Sequence, residues 1–301
     1  MQEFNIKNKN ILITGGNSGL GLQTAKTLSK RGANVYITCR SKEKGEKTIK
    51  KIKKENITGT INFFVLDLSD IMSIANFCKN LELDKIDILI NNAGVMSIPD
   101  LTITTDGLET QIGVNYFGHF ALTTMLLDKL KKSNDPRVIN LASIAAYFTK
   151  LRFNNINSNI TYKPYQTYKV SKLCNLLFSH ELAVRCPWLK SIAVHPGVVF
   201  TDIQKNASWW LKFSFYVMKK LNLSNTLSLG IEPILIAASK NIRTGMYLGP
   251  KYLLRGPVVQ AHKPRESRRK TKSRQLWELS ENIVSTITTS TTSEHKTTYV
   301  I

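Results

Sequence analysis

Tyr168 and Lys172, in "YKPYQTYKVSKLCNLLF", stand four residues apart, so on a helix they share one face. An ammonium beside a phenol favours the phenolate, which brings a hydroxyl with a pKa of about 10 into use as a general acid or base. The same stretch holds a second pair at this spacing, Tyr165 with Lys169, so spacing alone does not choose between them. Company separates the two: Ser143, in "INLASIA", can hydrogen-bond the same substrate oxygen. A hydroxyl and a phenol at one oxygen are what carbonyl reduction needs.

A second constellation precedes it. "TGGNSGLG", Thr14 to Gly21, places four glycines in eight residues between an apolar run and a helical pattern. Glycines in a strand-to-helix turn let the backbone approach a pyrophosphate, and the helix beyond offers free N–H groups and its positive dipole end. The spacing is Gly15, Gly19, Gly21. Further segments fall where the same ligand would need them. "VLDLSD" ends the third strand and places Asp67 at the carboxyl edge, where a carboxylate can accept from an adenine amino group, while Asp70 is the better helix cap. Ala93 and Gly94, in "INNAGVM", let the chain pass close to a flat ring or ribose. Arg40, with Lys44 four residues on in "TCRSKEKGE", stands where a ribose diol would be met by a carboxylate, and an arginine there pairs with a phosphate. The expected cofactor is NADP(H) rather than NAD(H).

The elements that must position these residues alternate. Strand-length apolar runs lie at 10–14, 34–38, 61–66, 86–91, 137–142 and 191–195. Nearly continuous apolar runs mark strands covered on both faces. Between them are helical patterns, one stopped by Gly32 and one started at Ser69 or Asp70. The alternation predicts an α/β fold, a single domain with a parallel sheet wrapped by helices on both faces. At 301 residues and 42% hydrophobic, the chain can build that core. Four scattered cysteines without a CxxC pair argue against a disulfide scaffold or zinc ribbon, and two lone histidines, His119 and His195, give no metal site: His119 reads as packing and His195 as a hydrogen-bonded structural residue. The polar start, "MQEFNIKNKN", leaves no room for a signal peptide, and no run reaches the roughly 20 apolar residues of a spanning helix. The expectation is a cytoplasmic protein.

Taken together, these segments resemble the short-chain dehydrogenase/reductase family over about residues 8–250: "TGGNSGLG" its cofactor loop, "DLS" its adenine contact, "NNAG" its central strand motif and "YKVSK" its active site. The resemblance implies a Rossmann-type doubly wound sheet and selects Tyr168 over Tyr165. It implies a catalytic tetrad of Asn115, Ser143, Tyr168 and Lys172, with Asn115 holding a water that links Lys172 to solvent. It also implies cofactor contacts from Asn17, Ser18 and Leu20 in the loop, from Leu68 and Asn92, from Tyr168 and Lys172 themselves, and from Pro196, Gly197 and Thr201 in "HPGVVFT". "CRSKEKGE", "DGLETQIGVNYFGHFALT" and "AVHPGVV" are similar to the retinol dehydrogenase-like branch, which implies NADP and a lipophilic aldehyde, ketone or retinoid-like substrate. The family also implies a homodimer through the helices bearing Asn115 and Tyr168.

The remainder of the chain is read by composition. Residues 1–255 form the dinucleotide-binding domain, with a substrate loop at about 200–228; 256–284 are a basic segment and C-terminal helix; 285–301, rich in Ser and Thr, read as a disordered tail. "SWWLKFSFYVMKKLNLSNTLS" mixes aromatics with Lys212, Lys219 and Lys220. It fits a lid over an apolar substrate, a helix packed on the domain, or an interfacial helix whose aromatics dip into a membrane. Forty-two Lys and Arg against 21 Asp and Glu give a net charge of +21. The basic run "HKPRESRRKTKSR" lacks the aromatics needed to stack on nucleic acid, which is therefore not an expected partner. A non-catalytic NADP-binding sensor or scaffold is the alternative, and it would be marked by loss of Tyr, Lys or Ser from the tetrad.

Overall fold

The six apolar runs become neighbouring strands: β1 Asn10–Thr14, β2 Asn34–Cys39, β3 Thr60–Val65, β4 Ile88–Asn91, β5 Arg137–Leu141 and β6 Lys190–Val194. The structure is a computed structural model and describes residues 5–55, 57–157, 160–205 and 207–294. Two further strands, β7 Tyr247–Pro250 and β8 Val258–Gln260, complete one sheet in the order β3-β2-β1-β4-β5-β6-β7-β8. All pairings are parallel except β7 with β8. The last two strands carry little sequence signal: one reads "YLGP" and the other has three residues. β3 is the edge strand and alternates in burial, with Val65 half exposed, where a strand covered on both faces was expected.

Helices α1 Gly19–Lys30, α2 Lys42–Ile52, α3 Ile71–Asn80, α4 Thr110–Ile112, α5 Gly118–Met125, α6 Leu127–Lys131, α7 Pro164–Arg185, α8 Trp209–Lys220, α9 Leu227–Ser239 and α10 Lys270–Glu294 follow in chain order. Asp70 caps α3 by accepting from the Ser73 N–H, and Pro164 stands in the first turn of α7, where its missing N–H costs nothing. Successive strand residues point to opposite faces, so Leu12 joins a core with Leu89, Phe120 and Leu176, while Ile11 and Ile13 join another with Leu28 and Ile234. These are the two helix layers of a doubly wound sheet. The chain reverses direction across the sheet between β1 and β4, and a crevice at the carboxyl ends of the strands opens at such a point.

α10 continues through residues 285–294, where a tail was expected, and residues 295–301 lie outside the described ones. The hydroxyls of Ser285, Thr286, Thr288 and Thr289 satisfy themselves on carbonyls a turn back, as Thr288 does on Val284, and Ile283, Val284 and Ile287 extend the apolar stripe begun by Leu276 and Trp277. Trp277 packs its ring 5.0 Å from Phe120 of α5 and 5.8 Å from Phe178 of α7. α10 thus packs on α5 and α7, the helices through which the resemblance implied a homodimer.

Candidate active site

The glycine loop is built for close approach. Gly15 and Gly19 adopt φ of +63° and +53°, left-handed values that side chains disfavour. A Cβ on Gly21 would stand 2.5 Å from the Gly15 carbonyl oxygen, so the first turn of α1 presses on the loop. Ser18, exposed, is the N-cap of α1 but makes no side-chain cap bond, which leaves the N–H groups of Gly19 and Leu20 for a ligand; Asn17 is half-buried beside it.

Thr14, at the end of β1, ties this loop to the end of β4. Its hydroxyl accepts from the N–H groups of Asn92 (2.9 Å) and Ala93 (3.0 Å), and the Asn92 amide donates to the carbonyls of Thr14 (2.7 Å) and Gly15 (3.3 Å). The Asn92 side chain therefore joins two loops. His119 completes the tie. Its Nδ1 lies 3.0 Å from the Asn115 carbonyl oxygen, which can only accept, so Nδ1 carries the hydrogen and Nε2 accepts from the Thr14 hydroxyl at 2.8 Å. Burial lowers the His119 pKa to about 4, keeping it neutral. It is a hydrogen-bonded bridge, where the sequence read as packing.

Asn115 lies in a π-helical turn, Gly113–Phe117, between α4 and α5. Its side chain is fully engaged: Oδ1 accepts from the Val95 N–H (2.8 Å), and Nδ2 donates to the Val95 carbonyl and the Ser171 hydroxyl (2.9 Å each). It clamps the strand that follows Gly94. A Cβ on Gly94 would stand 3.1 Å from Asn115 Oδ1 and 3.5 Å from Lys172 Nζ, so this glycine keeps the space beside the lysine open.

Tyr168 and Lys172 both point inward from α7. The Ser143 hydroxyl interacts with the Tyr168 phenol and draws its pKa down against the larger effect of burial, and it accepts from the Ala145 N–H and caps the short helix Ile144–Phe148. Lys172 Nζ donates to the Leu141 carbonyl at 3.0 Å and lies 5.9 Å from the centre of the Tyr168 ring. Burial pushes Tyr168 up to about 12 and Lys172 down to about 8. The expected lowering of the tyrosine by its lysine is not what the protein alone displays: desolvation dominates the phenol. The rival Tyr165 stacks beside Tyr168, ring centres 6.1 Å apart, on the outer side. Tyr165 is more than a third exposed, and Lys169 Nζ stands over its ring at 5.6 Å.

The other predicted residues gather along the same sheet edge. Asp67 Oδ1 accepts from the N–H and hydroxyl of Ser69, and Leu68 is buried under Gly118. Arg40 follows β2, exposed and without an ion-pair partner among the described residues. Pro196 and Gly197 follow β6, and Thr201 crosses above the glycine loop, 3.5 Å from where a Gly19 Cβ would lie. His195 is buried against Tyr247 with neither ring nitrogen hydrogen-bonded among the described residues, and burial holds it at about 4. The expected hydrogen bond is absent there. The sequence missed His119, Thr14 and Ser171, and it missed which side of α8 reaches the site: Leu211 and Phe215 pack with Met96, Ala145, Ala207 and Tyr168.

Room for a phosphate at the glycine loop, with a serine-backed phenol farther along the same strand edge, defines the class of a dinucleotide-binding oxidoreductase. The family model for short chain dehydrogenases matches residues 9–212, and the chain belongs to that family. It is 46% identical to mouse retinol dehydrogenase 12 over 206 residues, 67% of this chain and 65% of that protein. It is 43% identical to human retinol dehydrogenase 11 over 220 residues, 69% and 68% of the two chains. Human polyprenol dehydrogenase is 38% identical over 208 residues, 66% and 63%. The matched region thus spans about two thirds of these relatives. Among solved structures, an uncharacterized protein from Mycobacterium paratuberculosis superposes with a TM-score of 0.78 at 31% identity, covering 94% of this chain and 96% of its own. Salutaridine reductase from Papaver somniferum, at 24% identity and a TM-score of 0.62 over 80% and 99%, shares the fold.

Proposed function

We propose that the chain is an NADP-dependent oxidoreductase that interconverts a carbonyl and an alcohol on an apolar, retinoid-like substrate. The observation that carries this reading is the Tyr168 phenol set beside the Ser143 hydroxyl under an apolar roof of Met96, Ala207, Leu211 and Phe215. The retinol and polyprenol dehydrogenases among its relatives support the same substrate class.

The residues present fit a dinucleotide: the left-handed glycines and the uncapped N-terminus of α1 suit a pyrophosphate, and Gly94 leaves space beside Lys172. Gly15, Asn17, Ser18, Gly19, Leu20 and Gly21 would hold the phosphates, and Arg40 the 2'-phosphate. Asp67 and Leu68 would meet the adenine, Asn92, Ala93 and Gly94 the adjoining ribose, and Pro196, Gly197 and Thr201 the nicotinamide end, with Tyr168 and Lys172 at its ribose. When bound, the dinucleotide supplies the hydride chemistry that side chains lack.

The chain's own part is proton transfer and position. Ser143 and Tyr168 would both hydrogen-bond the substrate oxygen. A phenol held up to about 12 is protonated at neutral pH, so Tyr168 is ready to donate in reduction and must first lose its proton in oxidation. Lys172, 5.9 Å from the ring centre, favours the phenolate left behind. Asn115 acts by holding Val95 and the turn beside Gly94.

Arg40 tests the cofactor half. Fluorescence titration should show NADPH binding tighter than NADH, and Arg40→Ala should weaken NADPH by about ten-fold or more, the worth of a charge-assisted bond, with NADH unchanged. Equal affinities in the wild type would contradict it.

A further inference from the structure

Helix α8 carries apolar side chains on two sides. Leu211 and Phe215, one turn apart, face the roof of the site, yet no residue of the helix is fully buried. Trp209, Phe213 and Tyr216 run down the other side, 64%, 56% and 54% exposed, and Trp210, 65% exposed, stacks on Trp209 at 3.7 Å. The turn after β7 extends this surface. There the Arg255 guanidinium bonds the Asn222 carbonyl just beyond α8, and Tyr252 and Leu253 stand out into solvent.

Charge says what covers such a face. No Asp or Glu occurs from Ile203 to Ile231 or from Lys251 to Arg265, whereas Lys205, Lys212, Lys219, Lys220, Lys251 and Arg255 are all exposed around the aromatics. Indole and phenol rings ringed by cations suit the headgroup level of an anionic bilayer, where the rings are half immersed and the ammonium groups meet phosphates. A second copy of the same face would bring like charges together. No described helix is long and apolar enough to cross a membrane, so the contact argued here is interfacial.

We propose that the outer side of α8, with the turn at 251–255, docks on an anionic lipid surface, and that the inner side of the same helix passes apolar substrate from lipid to Tyr168. The docking stands by itself, whereas the delivery rests on the oxidoreductase reading. The test is sedimentation of the full chain with vesicles of phosphatidylcholine, with and without phosphatidylserine, over a range of salt. The expected result is binding to the phosphatidylserine vesicles that weakens as salt rises. Trp209→Ser with Phe213→Ser and Tyr216→Ser should abolish it without moving the melting temperature, because these side chains are exposed. Lys212→Gln, Lys219→Gln and Lys220→Gln should each weaken it by roughly five-fold. Absence of sedimentation, or binding that both sets of variants leave intact, would overturn the proposal. So would wild-type protein that avoids vesicles and self-associates through these aromatics. Vesicle binding is read without turnover, so its failure leaves the oxidoreductase reading standing, and inactive protein that still binds vesicles would fail that reading alone.

Discussion

Tyr168 and Lys172 are both held in their uncharged direction by burial, to about 12 and about 8. The sequence placed these two residues on one helical face, but it could not show that Leu141 would hold the ammonium or that the phenol would be dry, because both facts come from strand β5 packing on α7. A lysine whose pKa falls from 10.5 to about 8 on folding destabilises the fold at any pH below about 8, and that penalty disappears as pH rises toward 10.5. Its size is on the order of 3 kcal/mol, net of the hydrogen bond to the Leu141 carbonyl, which Asn175 also serves at 3.0 Å. Lys172→Met should therefore raise the melting temperature at neutral pH by a few degrees, with the gain shrinking in alkaline buffer, while turnover is lost. A calorimetric scan at the two pH values checks this, and a lower melting temperature at neutral pH would contradict it.

At the scale of elements, what is local in sequence was legible and what is not was missed. The glycine loop, the Asp70 cap and the positions of Asp67, Gly94 and Ser143 after their strands are set within a few residues of chain, and they lie where the pattern put them. His119 meets Thr14 across 105 residues, and nothing in "VNYFGHF" announces that partner. The two short strands and the double-sided α8 escaped for similar reasons: pairing partners and the side turned to the site are decided by the fold. The His119 bridge connects β1, the end of β4 and the π turn, so its removal should loosen the cofactor loop. His119→Phe keeps a ring of similar size but takes from the Thr14 hydroxyl its 2.8 Å acceptor and from the Asn115 carbonyl one donor, a loss of about 1–3 kcal/mol. Thermal melting and NADPH titration should both fall, and a variant with neither changed would reduce His119 to filler.

For the whole molecule, α10 is part of the core rather than an appendage. Leu276, Trp277 and Val284 are buried against the layer that contains Tyr116, Phe120 and Phe178. Burying three such side chains contributes roughly 5 kcal/mol, comparable to the entire stability of many domains at about 5–15 kcal/mol. A chain truncated after Arg269 should accordingly be recovered unfolded or aggregated, and a truncated chain that melts like the full one would contradict this. The basic excess is partly structural too, since Lys272 bonds Glu266 and the Leu151 carbonyl in anchoring this helix. Every layer thus converges on the strand edge where Tyr168 meets Ser143. The central claim is that Tyr168 moves the proton. Its most direct test is the rate of NADPH consumption with an apolar aldehyde such as a retinoid, in wild type and Tyr168→Phe, with NADPH binding measured on the same samples. The account predicts turnover by the wild type, and a variant that binds NADPH as well but has lost the reaction. A variant that turns over at the wild-type rate would contradict it.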